Sequence, residues 1–363
     1  MARHVGIVGL GAYPLLAGAS PSAVLGPDVY HSLLARGLQA RDFQVSVITY
    51  EDGSGGAGNL SGIRVIKACA VKSPAVRVCL SLGGALRRAG ADVYIQQGTA
   101  GLNPVVCRLM RRPFVFSVGS DWYVDRTSPI PGFGRVSRLV SDLTIRLADA
   151  IIVQTGTQQQ ALSKNYHRES TLIRPCFPLT ERGMPDKAEP PVALWVGSMA
   201  AVKQPALFAR LAEEMPEVRF RMVAGPGSRE VQEDVKRRAR RCPNLELRDT
   251  IPLDEIGAQF RQAAVLVNTS LFEGFPYAFL QAWMSYTPVV SLNADPDGIL
   301  RRHGIGSRSG SFEDMVKDLR GLIGDSSLRR EMGLKAREYV EREHGLEQFI
   351  GRHAELFDRL TKK

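Results

Sequence analysis

Val265–Ser291, reading VLVNTSLFEGFPYAFLQAWMSYTPVVS, is the stretch that decides the fold. A short apolar run (Val265–Val267) gives way to a polar turn (Asn268–Ser270) and then to Glu273-Gly274-Phe275-Pro276. From Tyr277 onward the apolar residues fall at helical spacing, with Phe279, Leu280 and Trp283 at i, i+1 and i+4. Pro288 punctuates the chain before a second β-branched run, Val289–Val290. The pattern predicts strand, loop, helix, strand. A helix start leaves backbone N–H groups unpaired and carries partial positive charge, so this turn suits an anion. Gly274 lets the backbone approach a ligand closely, and Pro276 suits a helix entry. Glu273 stands before the helix, and Gln281, eight residues on, about one turn inside it.

The same alternation recurs on both sides. Ala193–Ser198 reads as a strand running into a glycine turn at Gly197-Ser198. Lys203 follows five residues later, ahead of a helix carrying Leu207, Phe208 and Leu211. Arg219–Ala224 is a further strand, ending in Gly225-Pro226-Gly227, and Leu245–Leu247 opens a segment that reaches Thr250-Ile251. Toward the N-terminus, strands are expected at Val5–Val8, Gln44–Thr49, Ile63–Lys67, Asp92–Ile95, Phe114–Ser117 and Ala150–Val153. Helical patterns such as Val76–Arg88 and Ser137–Leu147 lie between them, and Glu51–Ser61 reads as a glycine-rich surface loop. Strands alternating with helices predict parallel, doubly wound sheets, which bind ligands beyond the carboxyl ends of their strands. Two N-terminal loops stand at such ends: Gln96–Asn103, and Val118–Tyr123 with Gly119, Ser120 and Asp121. Thr180–Pro191, rich in Pro, Gly and charge, reads as an interdomain linker. The tail Glu331–Leu360 is amphipathic and helical, with Met332, Leu334, Tyr339, Val340, Phe349, Ile350, Leu356 and Phe357 as apolar positions.

A chain of 363 residues suits two domains better than one core, and 44% apolar with 23% charged residues is a globular composition. The net charge of +10 points to an anionic partner without choosing among nucleotide diphosphates, anionic lipid and nucleic acid. Five scattered cysteines without a C-x-x-C pair read as reduced thiols in a cytosol, and the six histidines form no H-x₃-H pattern, so no metal site is expected. No apolar run reaches the length of a membrane span. The apolar N-terminus is broken by Gly6, Gly9, Gly11 and Pro14, which fits a first strand entering a glycine loop better than a signal peptide. Gly9 and Gly11 also begin a dinucleotide fingerprint that would suit a nicotinamide-dependent dehydrogenase, but Pro14 stands at its third glycine. Asp295-Pro296-Asp297 reads as a turn. The basic cluster Lys236–Arg241 reads as a solvated helix face, the alternative being an anionic membrane or nucleic-acid patch.

The block Glu273–Gln281 resembles the Glu, seven residues, Glu signature of family 4 of the retaining, nucleotide-sugar-dependent glycosyltransferases (glycosyl transferases group 1). The resemblance implies the GT-B fold, two Rossmann-like doubly wound α/β domains facing across a cleft. Residues 1–178 would be the acceptor-side domain, 179–191 the linker and 192–340 the nucleotide-sugar domain, with 341–363 packing back on the first. Glu273 would approach the donor sugar, the amides of Gly274, Phe275, Pro276, Tyr277 and Ala278 the sugar and diphosphate, and Gln281 the ribose hydroxyls. Gln281 departs from the family's carboxylate and is a weaker acceptor. Gly197 to Lys203 resembles V-G-R-x-x-x-x-K, whose two cations hold the diphosphate; Lys203 matches and Ser198 replaces the arginine. Gly225 and Ile251 would line the donor, with the loop at Ile251 cradling the base through backbone groups. Gly26, Gly119 and Ser120 would meet donor or acceptor, and Asp121 stands where many members place a histidine near the reacting centre. The catalytic set implied is Glu273, Lys203 and Asp121. No cofactor is implied beyond the nucleotide-diphosphate sugar as co-substrate, and no metal. The acceptor would be a glycan, a lipid-linked sugar or a small molecule, the location cytoplasmic with peripheral contact to anionic membrane left open, and nucleic acid is not expected. A weakened, donor-binding homologue is the alternative that Ser198 and Gln281 raise.

Overall fold

The computed structural model describes residues 3–19, 26–51, 58–71, 73–126 and 134–362; residues 52–57 of the expected glycine-rich loop lie outside them. The chain divides into two compact units, one reaching Cys176 and resuming at Leu346, the other running from Phe177 to Gly345.

In the first unit the strands are β1 (His4–Val8), β2 (Gln44–Glu51), β3 (Asn59–Leu60), β4 (Ile63–Ala70), β5 (Val93–Gln97), β6 (Phe114–Ser117), β7 (Ala150–Val153) and β8 (Thr171–Leu172). Its helices are α1 (Tyr13–Leu16), α2 (Gly26–Gln39), α3 (Ala75–Ala89), α4 (Asn103–Leu109), α5 (Arg135–Leu147) and α6 (Gly156–Tyr166). The sheet order is β3-β4-β2-β1-β5-β6-β7-β8, parallel except for the β3–β4 hairpin. β1 is almost wholly apolar because both faces are covered, and Val5, Ile7 and Val8 are buried. Gly9 and Gly11 have packing reasons to be glycine: a Cβ at Gly9 would sit 2.8 Å from the His31 Cβ, and one at Gly11 would collide with the Asp28 carboxylate. This is a helix–strand approach and needs no dinucleotide.

The second unit holds β9 (Val192–Ser198), α7 (Pro205–Glu214), β10 (Arg219–Gly225), α8 (Arg229–Ala239), β11 (Leu245–Arg248), α9 (Leu253–Gln262), β12 (Val265–Asn268), α10 (Tyr277–Met284), β13 (Val289–Ser291), α11 (Ile299–His303), β14 (Gly306–Arg308), α12 (Phe312–Gly324) and α13 (Ser326–Glu343). The sheet is wholly parallel in the order β11-β10-β9-β12-β13-β14. Two parallel-sheet α/β units with crossover helices are the architecture the alternation predicts. Asp295-Pro296-Asp297 forms a short 3₁₀ turn, in which Asp295 accepts from the Leu300 N–H. On α8, Arg237 and Arg238 pair with Asp234, and Arg238 also with Glu213, which makes this basic face a paired, solvated one.

The tail is amphipathic and helical, as its spacing predicts. It breaks at His344-Gly345 into α13 and α14 (Leu346–Thr361), and α14 belongs to the first unit. Its stripe Phe349, Ile350, His353, Leu356 and Phe357 is buried, worth about 2 kcal/mol for each large apolar side chain. Tyr30 on α2 meets His353 Nε2 at 2.7 Å, and the close approach of Ile350 leaves no room for a Cβ at Gly37. Burial holds His353 and His31 neutral, with pKa values pushed down to about 4 and about 3.

The segment 179–191 packs on the second unit. Ala188 N–H donates to the Gln262 carbonyl, and Lys187 Nζ to the Ser285 carbonyl and Thr287 Oγ1, each at 2.7 Å. Burial, and then the nearby Arg329 charge, push the Lys187 pKa down from 10.5 to about 7. The unfolded chain therefore binds more protons than the folded one between roughly pH 7 and 10.5. Stability is expected to rise with pH across that window, at most about 1.4 kcal/mol per unit and less where water reaches the ammonium. The penalty is full below pH 7. Denaturant melts of Lys187→Met should show a flatter slope than wild type between pH 7 and 10; an unchanged slope refutes the assignment.

Candidate functional site

In the second sheet the chain winds outward from β9 through β10 to β11, then from β12 through β13 to β14. The order reverses between β9 and β12, and open α/β sheets take ligands at the carboxyl side of such a reversal. Two loops leave the sheet there. One follows β9 and carries Lys203 at the end of a 3₁₀ turn (Ala201–Lys203); the other follows β12 and carries Glu273.

These loops are joined atom to atom. Lys203 Nζ lies 2.5 Å from Glu273 Oε1, with both side chains partly withdrawn from solvent. Ser270 Oγ donates to the same oxygen at 2.6 Å, and Asn268 Nδ2 approaches it at 3.4 Å. Thr269 Oγ1 donates to the Lys203 carbonyl at 2.7 Å and accepts from Trp195 Nε1 at 3.0 Å, while Leu271 N–H donates to the Val202 carbonyl. The buried Trp195 of β9 thus anchors the β12 loop that anchors Lys203. Gly197 is glycine because a Cβ there would press on the Trp195 ring at 2.9 Å.

Ser198 and Gly225 are register partners at the ends of β9 and β10, beside Lys203's loop. Gly227 comes so close to the Met199 carbonyl that no side chain fits, and Ser228 N–H donates to that carbonyl at 3.0 Å. Ile251, past β11, is half-buried against the core beneath. The side chain of Phe275 faces the core. That ring is 5% exposed and packs on Trp283 and His344, with centroids 6.2 and 4.7 Å apart. Gly274 and Pro276 are buried too, whereas Tyr277 and Ala278 are half-buried in the first turn of α10. Gln281, on the same helix, lines a cavity of about 370 Å³ with Ile256, Phe260 and Arg261 of α9 and Thr180 and Glu181.

Gly26, Gly119, Ser120 and Asp121 belong to the first unit. Gly26 is the first residue of α2. Gly119 abuts the Gln97 side chain, Ser120 caps a 3₁₀ turn by accepting from Trp122 N–H, and Asp121 Oδ1 accepts from Gln158 Nε2 at 2.9 Å. Asp121 therefore ties the turn to α6. Among the described residues no group of three or more His, Cys, Asp or Glu could hold a metal ion, and no helix is long and apolar enough to cross a membrane. The five cysteines are free thiols.

The residues that orient Glu273, namely Ser270, Thr269 and Trp195, carry no signature of their own. The polar run Asn268-Thr269-Ser270 at the carboxyl end of a strand was the available signal.

Comparison with known proteins agrees with this geometry. Residues 190–325 match the model described as glycosyl transferases group 1, and residues 26–175 the glycosyl transferase 4-like domain. The chain is 25% identical over 193 residues to the sulfoquinovosyl transferase SQD2 of Arabidopsis thaliana, a match covering 52% of this chain and 36% of that one. The chain thus spans about a third of that curated relative. Sucrose-phosphate synthase from Thermosynechococcus elongatus superposes with a TM-score of 0.78 at 16% identity, covering 99% of both chains. Anabaena HepE in complex with UDP and glucose gives 0.75 at 14% identity, covering 98% of this chain and 100% of that one.

Proposed function

We propose that this chain, which belongs to the group 1 glycosyl transferases of the GT-B fold, moves a sugar from a nucleotide-diphosphate donor with retention at the anomeric carbon. The observation that carries the reading is the Lys203–Glu273 contact at the reversal of strand order. Breaking the anomeric bond builds negative charge on the diphosphate oxygen. Donors fixed before the reaction and aimed at that charge lower the barrier. Lys203 supplies an ammonium, and the amides of Tyr277 and Ala278 supply the N–H groups and partial positive charge of a helix start. Glu273, its Oε1 already held by Lys203 and Ser270, offers Oε2 to the sugar and stabilises oxocarbenium character at the anomeric carbon. The departing phosphate takes the acceptor's proton, so no enzymic base is assigned. The nucleotide sugar is the co-substrate and no metal takes part. Gln281 contacts the ribose as an amide. The acceptor is a glycan or a lipid-linked sugar; the neighbour HepE was solved with UDP and glucose, which supports a nucleotide-sugar donor.

A panel of nucleotide sugars screened by thermal shift tests the reading, since a donor at one hundred times its Kd adds about 2.7 kcal/mol. If none stabilises the protein and none is hydrolysed or transferred, the reading fails. Ser198→Arg restores the second cation of the diphosphate pair. It is expected to tighten binding of the selected donor about ten-fold, the worth of one charge-assisted hydrogen bond. Titration calorimetry would show it, and unchanged affinity would place residue 198 away from the diphosphate.

A further inference from the structure

Ten large apolar side chains stand exposed among the described residues, and six of them lie on three helices of the first unit. They are Val76 and Leu80 on α3, Leu109 on α4, and Val136, Leu139 and Leu143 on α5. The three helices adjoin in the order α3, α4, α5, and right-handed crossovers from β4 to β5, β5 to β6 and β6 to β7 put them on one face of the sheet. On α5 the usual polarity is inverted. The inward stripe is Ser141, Thr144 and Ile145, with both hydroxyls donating to carbonyls one turn back, while Val136, Leu139 and Leu143 point outward at i, i+3 and i+7. Leu80 and Leu109 are each 74% exposed. A patch of this kind on a folded unit marks a surface that something covers.

The charges around it say what. Exposed arginines stand on the same helices: Arg77, Arg87 and Arg88 on α3, Arg108 on α4, Arg135 and Arg146 on α5. α3 and α4 contain no acidic residue, and the single one on α5, Asp142, is already bonded to the Tyr166 hydroxyl and paired with Arg126. A second copy of the chain would bring arginine against arginine. An anionic lipid surface meets both features: the leucines and valines enter the acyl boundary, and the guanidiniums take the phosphates. We propose that the α3–α4–α5 face is a peripheral docking surface for an anionic bilayer. This goes beyond sugar transfer, because docking needs no donor turnover. It also differs from the basic helix α8, whose arginines are partly paired and carry no exposed leucine.

The test is sedimentation of the full chain with extruded vesicles of phosphatidylglycerol and phosphatidylcholine, and with phosphatidylcholine alone. The protein should pellet with the first and at least ten-fold less with the second. Leu80→Ser/Leu109→Ser/Leu139→Ser should retain the wild-type unfolding midpoint, since all three side chains are already in water, and bind at least ten-fold more weakly. Arg87→Ser/Arg88→Ser/Arg146→Ser should weaken binding about five-fold per charge removed. Arg237→Ser/Arg240→Ser/Arg241→Ser should bind as wild type. The proposal is overturned if wild type stays in the supernatant with anionic vesicles, or if the leucine variant binds undiminished. It is equally overturned if lipid-free wild type is a dimer that the leucine variant dissociates, because a second copy then covers the face.

Discussion

Glu273→Ala is expected to lower transfer of the donor sugar about a thousand-fold, and Lys203→Ala by a similar factor, the range seen when one fixed electrostatic group is removed from a transition state. The two should differ in where the loss falls. In the proposed mechanism Lys203 meets diphosphate in the ground state as well as in the transition state, so its removal should raise the donor's Kd together with lowering kcat. Glu273 is proposed to act on charge that develops only as the anomeric bond opens, so its loss should fall on kcat. A complication follows from their direct contact: each truncation leaves the partner's charge partly buried and unpaired. Some loss of stability is therefore expected in both single variants and less in the double one. Glu273→Gln separates the two effects. It can still accept from Ser270 and Lys203 but carries no charge, so its unfolding midpoint should fall less than that of Glu273→Ala while it loses most of the rate. Initial rates of nucleoside diphosphate release from the selected donor, measured beside thermal melts, decide the matter. If Glu273→Gln kept more than a tenth of wild-type turnover, the carboxylate would be a structural clamp on the Lys203 loop.

Much of this site was legible before the fold was. Glu273-Gly274-Phe275-Pro276 sits between a strand and a helix in the letters themselves, and Lys203 stands at a fixed spacing from Gly197. Both are local patterns. The contact between them is not, because Thr269 meets the Lys203 carbonyl from 66 positions away, and only because β9 and β12 lie side by side. Strand order carries no mark at the level of single residues. The same limit hid Trp195, which looks like any buried strand residue until its indole N–H is seen to donate to Thr269. On α3 the helical pattern read over Val76–Arg88 is the helix observed, but the pattern left its inward face open. Val76 and Leu80 fit a helical apolar pattern, yet the stripe that covers the sheet is Leu82, Ala85, Leu86 and Ala89. Apolar spacing predicts that a helix forms, not which of its apolar positions face inward.

Arg337→Ala should unfold the second unit far more readily than its sequence position suggests, by about 3–5 kcal/mol, the cost of removing one member of a buried charged network. In the letters, the apolar positions of the tail include Leu334, and Arg337 carries no mark. In the structure Leu334 is 44% exposed, while Gly333, Ala336, Arg337 and Val340 form the buried stripe of α13. The Arg337 guanidinium donates to the Met284 carbonyl at the end of α10, to the Thr180 carbonyl and hydroxyl, and to Glu341. Truncation leaves the buried Met284 carbonyl without this donor and opens a void where a side chain only 5% exposed had stood. Glu341 provides an internal control, because it also pairs with Arg182, whose side chain is 79% exposed. An exposed pair is screened and adds little, so Arg182→Ala should leave the melt almost unmoved. For a unit of this size the Arg337→Ala loss corresponds to a fall in Tm of roughly 10 °C. Because α10 begins at the amides assigned to the diphosphate, weakening its far end should also raise the donor's Kd at temperatures below the melt. Equal shifts from the two arginine variants would mean that Glu341, and not the carbonyls at the end of α10, is what Arg337 is there to hold.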